Sequence, residues 1–318
     1  MRNKISSKLK KKKFFQVVIA LFRVGYFIPY LYFSKKLDFE ILNSEDSLEL
    51  IKKNNLSVAR FGDGEFNLMY NNRSIGFQPF STDLKSKLTN SLNVKKIGIA
   101  LPHGLKSTKD DKFIVKTFWW AYVVKNFSNL SKIHADSSSE NVPVFLDASF
   151  GRIVTENKNK EKIFRIVNKV RHLWEDKDIY IVEGNQTFFG VDNDLLSNAR
   201  SVSRIETKNV DAFSEYESLK SYILFIKESL IKQKSLEDSI FLTSLGPTAT
   251  VLSAELGHEI RIIDLGHFDF QYELMQKNHF SLKPLKNRFS NELESNFDNY
   301  LSYNQDYKNQ IITKIGIE

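Results

Sequence analysis

From about Leu37 onward the chain alternates short apolar runs with longer amphipathic stretches, the pattern of strands followed by helices in an α/β domain. The apolar runs are Ser57 to Phe61, Lys96 to Leu101, Val142 to Leu146, Asp178 to Val182, Ser239 to Leu245 and Glu259 to Ile263. They lead, in turn, into Asp63 and Glu65, Pro102-His103-Gly104, Asp147, Glu183-Gly184, Gly246-Pro247-Thr248, and Asp264-Leu265-Gly266-His267. Open α/β sheets bind ligands at the carboxyl ends of their strands, so the pattern predicts that these acids, His103 and His267 converge on one crevice.

The clearest unit spans 239 to 264. Its first strand meets Gly246-Pro247-Thr248-Ala249-Thr250, then an apolar stretch ending at Gly257, with proline suited to a first helical turn and glycine to a helix end. This predicts a β-α-β unit whose helix points free N–H groups at the crevice, with the Thr248 and Thr250 hydroxyls beside them. A diphosphate suits such a helix start; so does a purely structural turn with capping threonines.

The amino-terminal pattern is different. Phe14 to Phe33 is apolar except for Gln16, Arg23, Gly25 and Pro29, and lysines flank it on both sides. It is long enough to span a bilayer, but a central Arg, a Pro and positive charge at both ends count against a span. Gln16, Arg23, Tyr26 and Tyr30 share one sector of a helix, which describes a helix lying in the membrane plane. A true span, and a helix packed on the body or on a partner, are the alternatives. No small-residue cleavage site follows, which disfavours a removed signal.

Charge sharpens this division. Of the net +8, ten positive residues precede the first acid, Asp38, seven of them within residues 1 to 13, so the rest of the chain sums to about −2. A basic arm on a nearly neutral body argues against a nucleic-acid groove and fits an anionic membrane surface. The chain contains no cysteine, which excludes disulfides, thiolate metal sites and cysteine nucleophiles; any metal would take oxygen or histidine ligands. The organisation expected is a basic, apolar membrane-associating arm (1–36), an α/β domain (37–285) and a carboxyl-terminal extension (286–318). Deleting residues 1 to 36 is expected to release the protein from liposomes while sparing turnover.

Candidate chemistry centres on Arg60-Phe61-Gly62-Asp63-Gly64-Glu65, two carboxylates one residue apart in a glycine-rich turn. Such a pair can offer oxygen ligands to Mg²⁺ or Mn²⁺, which commonly bridges to nucleotide phosphates; Asp-Gly is also an ordinary hairpin turn. Arg60 is placed to neutralise the pair. If Gly266-His267-Phe268-Asp269-Phe270 is extended, His267 and Asp269 project on one side. A lone histidine is also commonly a satisfied surface or core residue.

Four ordered blocks resemble the GT-D glycosyltransferases, a family first catalogued as a domain of unknown function. They are Arg60 to Glu65; Glu183-Gly184 with Gly190-Val191 and Asn193-Asp194-Leu195; Ser201 to Ile205; and Leu245 to Thr250 with Asp264 to Asp269 and Tyr272-Glu273. The order and approximate spacing match from about residue 55 to 275. The resemblance implies a Rossmann-like, mostly parallel sheet flanked by helices, binding a nucleotide-diphosphate sugar through a divalent metal, with Asp63 and Glu65 as candidate ligands. Two positions depart from the family pattern: Thr187-Phe188 stands where Ser-Arg is usual, and Asp211 where Asn is usual before Ala212-Phe213. Loss of that Arg removes a possible phosphate or substrate fork.

The expected function is therefore metal-dependent transfer of a hexose, glucose or galactose, from a UDP-sugar to a hydroxyl of a bacterial surface polysaccharide or glycoprotein glycan. Asp63 and Glu65 are expected to hold Mn²⁺ or Mg²⁺. Arg60, Gly62, Glu183, Arg204, Gly246, Thr248 and Thr250 are expected around the donor, with Glu183 on ribose or acceptor hydroxyls or else a buried structural acid. Asp264, His267 and Asp269 are candidates for acceptor activation. The acceptor is expected to be lipid-linked or protein-linked, and the location the bacterial cytoplasm, peripheral on the inner membrane face. A metal-dependent phosphohydrolase and a non-catalytic glycan-assembly subunit are the competing readings.

Overall fold

A computed structural model describes residues 15–137, 144–285 and 305–317. The amino-terminal half runs through α1 (15–23), a 3-10 turn (Val24–Tyr26), α2 (Phe27–Leu37), α3 (Ser44–Lys53), β1 (Val58–Arg60), α4 (Asp63–Asn71) and α5 (Thr82–Ser91). Next come β2 (Gly98–Leu101), α6 (Phe113–Ser137), β3 (Leu146–Asp147), α7 (Ile153–Glu156) and α8 (Lys160–Arg171). The remainder is β4 (Asp178–Gly184), β5 (Ser201–Thr207), α9 (Tyr216–Gln233), β6 (Ser239–Ser244), α10 (Pro247–Leu256), β7 (Ile262–Asp264), α11 (Phe268–Gln276), α12 (Gln305–Gln310) and β8 (Ile311–Lys314).

The helices follow from their apolar spacing and caps. In α8, Ile163, Ile166, Val167 and Val170 are buried on one face, and the Asn159 side chain accepts from the Lys162 N–H at the start. Asn43 caps α3 in the same way, accepting from the N–H groups of Glu45 and Asp46. The strands form one eight-stranded sheet in the order β3-β2-β1-β7-β6-β4-β5-β8, with every pairing parallel. Parallel sheets bury both faces. Residues of α3, α8 and α11 form a core on one face, and residues of α4, α5, α6, α9 and α10 a core on the other.

All six predicted runs contain or overlap strands: β1, β2 and β6 are shorter than predicted, β4 runs two residues further, and β3 and β7 start later and end one residue further on; Val142 and Pro143 of the third run lie outside the described residues. Two strands were not anticipated. The run Ser201–Thr207 contains Arg204 and Glu206, which look like surface residues until their buried partners are seen. β8 belongs to the carboxyl-terminal extension and adds an edge strand to the same sheet, while residues 286–304 lie outside the described residues.

The helical stretch Phe15–Leu37 packs lengthwise on α6. Arg23 lies 5.6 Å from the Phe118 ring, the Phe27 ring 4.7 Å from Trp120 and the Phe33 ring 4.6 Å from Phe127, so the two helices run side by side in the same direction. The Tyr30 hydroxyl donates to the Gly104 carbonyl at 3.1 Å. Most of the predicted polar sector therefore faces protein: Arg23, Tyr26 and Tyr30 are engaged by α6 or the loop after β2. This corrects the expected deletion phenotype. Removing residues up to 36 would uncover Trp120 and Phe127 and take buried Tyr30 out of the core, destabilising the body instead of detaching a free arm. Residues 1–14, with most of the basic charge, lie outside the described residues.

Candidate active site

β4 hands the chain on to β5 on one side, whereas its neighbour β6 passes through α10 to β7 on the other. Adjacent strands that send the chain in opposite directions leave a gap at their carboxyl ends, the usual ligand position in open α/β sheets. A crevice of about 500 Å³, counting its open mouth, lies there. Gly184 comes from the end of β4, Ser244 and Gly246 from the end of β6, and His267 and Asp269 from the start of α11; Phe77, Thr187 and Asn209 form the sides.

The α10 start is shaped by glycine and proline. Gly246 has φ +54°, and a Cβ there would sit 2.4 Å from Phe77 Cε2, so the turn needs glycine twice over. Pro247 follows at the first helical position. Thr248 and Thr250 are both fully buried but differ in their bonding. Thr250 Oγ1 donates to the Arg60 carbonyl at 2.7 Å and lies 3.3 Å from Asp264 Oδ2, whereas Thr248 Oγ1 finds no hydrogen-bond partner among the described residues. A buried hydroxyl without a partner is uncommon, and one at a helix start is suited to a ligand; the Ala249 and Thr250 N–H groups already donate to the Gly246 carbonyl, and Pro247 has none. Thr250→Val is expected to lower unfolding free energy by about 1–2 kcal/mol. Thr248→Val should leave stability unchanged or raised while weakening nucleotide-sugar binding roughly tenfold; equal thermal shifts for the two variants would contradict this.

The Asp63-x-Glu65 pair begins a helix and is not a hairpin. Gly62 is the extended N-cap of α4, and Glu65 Oε2 accepts the Gly62 N–H at 2.8 Å, closing the first turn. Burial, with the charges of Asp264 and Asp63, pushes the Glu65 carboxyl up to about 7 against backbone N–H bonds that favour ionisation. Two positions apart on a helix, the acids leave the axis about 200° apart. Among the described residues no group of three histidine or acidic side chains is arranged to hold a metal ion. The oxygen-only donors and excess negative charge nevertheless suit Mg²⁺ or Mn²⁺, ions that bind through one or two carboxylates and complete their coordination with water and substrate phosphates.

Asp264 lies at the end of β7, beside these acids. Its carboxyl is raised to about 6 by burial, partly offset by Arg60, whose Nη1 is 3.7 Å away, and it accepts the Gly266 N–H at 2.9 Å. Arg60 is itself fixed: Nε donates to the Ala148 carbonyl at 3.0 Å, and the guanidinium lies 5.6 Å from the Phe150 ring. A Cβ on Gly151 or Gly266 would strike it. The ion pair of Arg60 is thus with Asp264, across the junction of β1 and β7.

His267 and Asp269 do share the crevice, but not through an extended loop. Gly266 turns at φ +54°, His267 is the N-cap of α11, and Asp269 sits in its first turn. Glu183 and Arg204 occupy the floor of the sheet. Arg204 Nη1 is 2.6 Å from Glu183 Oε1, its Nε donates to Gln310 at 2.7 Å, and the Tyr307 ring covers the guanidinium at 4.7 Å. Glu183 Oε2 accepts the Phe189 N–H at 2.7 Å, and burial raises its carboxyl despite Arg204. Both residues are almost wholly buried, an arrangement matching the structural alternative for Glu183 and leaving Arg204 bound within the fold.

Convergence on a single crevice also needs correction: of the acids and histidines expected there only His267 lines it, while Asp63, Glu65, Glu183 and Asp264 lie outside its lining and the β2–β3 end holds a cluster of its own. His103 Nε2 is 2.7 Å from Asp111 Oδ1, and its Nδ1 is 3.1 Å from Asp147 Oδ1. Burial opposes protonation of His103, but the two carboxylates hold it well above the usual histidine value. These residues form a second buried cluster and do not line the crevice. The sequence offered no cue for Phe77 or Asn209. Asp211 anchors the Phe77 loop: its N–H donates to the Phe77 carbonyl at 2.7 Å, and its Oδ1 accepts from Gln78 at 2.8 Å.

A parallel sheet with a crevice at its switch point, a helix start at that crevice and buried acids on the adjoining strands define a Rossmann-like α/β domain. The chain belongs to the family described as Glycosyltransferase GT-D fold, whose sequence profile matches residues 58–293. It is 28% identical over 284 residues to a probable glycosyl transferase, Gly, of Streptococcus gordonii, covering 87% of this chain and 39% of that protein. It is likewise 28% identical over 292 residues to the glycosyltransferase GlyD of Streptococcus pneumoniae serotype 4, covering 88% of this chain and 33% of that one. The chain thus spans between a third and two-fifths of these longer relatives. A solved structure described as domain of unknown function 1792 with a distinct glycosyltransferase fold superposes with TM-score 0.78 at 28% identity, covering 90% of this chain and all of that one. A glycosyltransferase of the same domain type from Streptococcus sanguinis gives 0.73 at 26%, covering 88% and 100%.

Proposed function

We propose that this chain transfers a hexose, glucose or galactose, from a UDP-sugar to a hydroxyl of a bacterial surface polysaccharide or glycoprotein glycan, in the cytoplasm. Beside family membership, the observation that carries the reading is the α10 start, where buried Thr248 Oγ1 has no partner among the described residues and Gly246 opens on the crevice shared by His267 and Asp269. In the reaction the sugar C1–O bond to the diphosphate breaks and a C1–O bond to the acceptor forms. Negative charge grows on the leaving diphosphate, and the positive end of the α10 dipole with the Thr248 hydroxyl is suited to stabilise it. Asp63 and Glu65 would hold Mn²⁺ or Mg²⁺, which when bound neutralises that charge. His267 and Asp269 line the crevice and are the candidates to take the acceptor proton. Asp264, tied to Arg60, Thr250 and Gly266, positions the turn that carries them.

A panel of nucleotide sugars, with and without Mn²⁺ and read as UDP or GDP release, tests this. Acceptor-dependent, metal-stimulated UDP release is expected. Phosphoester hydrolysis without acceptor-dependent UDP release would favour a phosphohydrolase, and no nucleotide-sugar binding at all would favour a non-catalytic assembly subunit.

A further inference from the structure

We propose that the helical stretch 15–37 docks this protein in the plane of an anionic lipid bilayer, through the side turned away from α6. With Arg23, Tyr26 and Tyr30 engaged by protein, the surface left outward is apolar apart from Gln16 and the terminal lysines: Leu21 is 60% exposed, Phe22 80%, Ile28 70% and Tyr32 63%. Only 11% of its most apolar window is buried within the fold, so an apolar ridge stands in water. Phe113 and Ile114, at the amino end of α6, are exposed as well.

Charge selects the occupant. Seven basic residues lie within 1 to 13, exposed Lys35 and Lys36 close the other end, and no acid precedes Asp38. A second copy of the chain would bring the same positive flanks against each other, whereas an anionic headgroup layer would attract both. Orientation follows from packing. A bilayer-crossing helix would carry its lengthwise partner α6, with Lys116, Lys125 and Lys132, into hydrocarbon, which is strongly unfavourable. Lying flat, the helix keeps α6 in water. Tyr30 bonds to the loop after β2, at the same sheet edge that bears the crevice, so docking also brings that edge near the lipid surface. A membrane-presented acceptor follows from this geometry and rests on the transferase reading.

The test is sedimentation of the full chain with vesicles of phosphatidylglycerol and phosphatidylethanolamine, against phosphatidylcholine alone. Binding to the anionic vesicles, weakened by salt, is expected. The exposed-face variant Phe22→Ser/Ile28→Ser/Leu31→Ser should bind at least tenfold more weakly with its thermal midpoint unchanged. Because the chain has no cysteine, a single Ile28→Cys carrying an environment-sensitive dye should shift to the blue on anionic vesicles. Undiminished binding by the triple variant, no dye shift, or a lipid-free dimer that the triple variant abolishes would each overturn the proposal. None of these readouts needs turnover, so failure here is distinguishable from failure of the transferase reading.

Discussion

Glu65→Gln is expected to lower nucleotide-sugar turnover by about two to three orders of magnitude while making the metal-free protein more stable at pH 8. Glutamine keeps an oxygen for the Gly62 N–H, so the first turn of α4 stays closed. What it removes is a carboxylate buried near Asp264 and Asp63. The folded-state value of about 7 lies above the ordinary glutamate value of 4.5, so the folded state holds this proton more tightly than the unfolded chain. The penalty is absent below the unfolded value, grows as pH rises through that interval, and is complete above about 7. Asp264, raised from 3.8 to about 6, adds a slope of the same sign over a lower window. Urea unfolding should therefore show wild type losing stability between about pH 4 and 7, with Glu65→Gln recovering about 1–3 kcal/mol above that interval. Full activity in the variant would remove Glu65 from diphosphate chemistry, and an unchanged pH slope would contradict its burial as a charge.

The second large effect is expected at the sheet floor. Arg204→Met should destabilise the fold by about 3–5 kcal/mol, because Glu183 would remain buried without its cation. Glu183 would then take up a proton, so the loss should deepen as pH rises. Combining Arg204→Met with Glu183→Gln should recover more than half of the loss, since glutamine still offers an acceptor to the Phe189 N–H. Strict additivity in a double-mutant cycle by urea unfolding would show that the two side chains are not coupled.

The fold was legible where its physics is local. β6, α10 and β7 announce themselves through a β-branched and aromatic run, a Gly-Pro helix start and a glycine near the helix end. β5 was hidden because its buried charges are satisfied by Glu183, Gln310 and Tyr307, residues from β4 and from beyond position 300. β8 was hidden because a four-residue edge strand exposing every second residue leaves little apolar signal. At the site, the helix start and the acids were readable as residue types, but their divisions were not. Nothing in sequence spacing separates Thr250, held by Arg60, from Thr248, which has no partner among the described residues, or sends His103 to Asp111 and Asp147 instead of to the crevice. The polar sector of the first helix was visible; its direction depended on α6.

β1 is only three residues long, yet it joins the two halves of the sheet, pairing with β2 on one side and with β7, about two hundred residues away, on the other. A contact across so long a loop carries a large closure entropy and tends to form late in folding. The acids of α4 hang from one side of that seam, and Asp264 with the α10 start from the other. A chain whose separate halves have already collapsed would therefore still lack an assembled site. Recovery of donor binding during refolding should track the slowest structural phase, making ligand capture a report on closure of the seam.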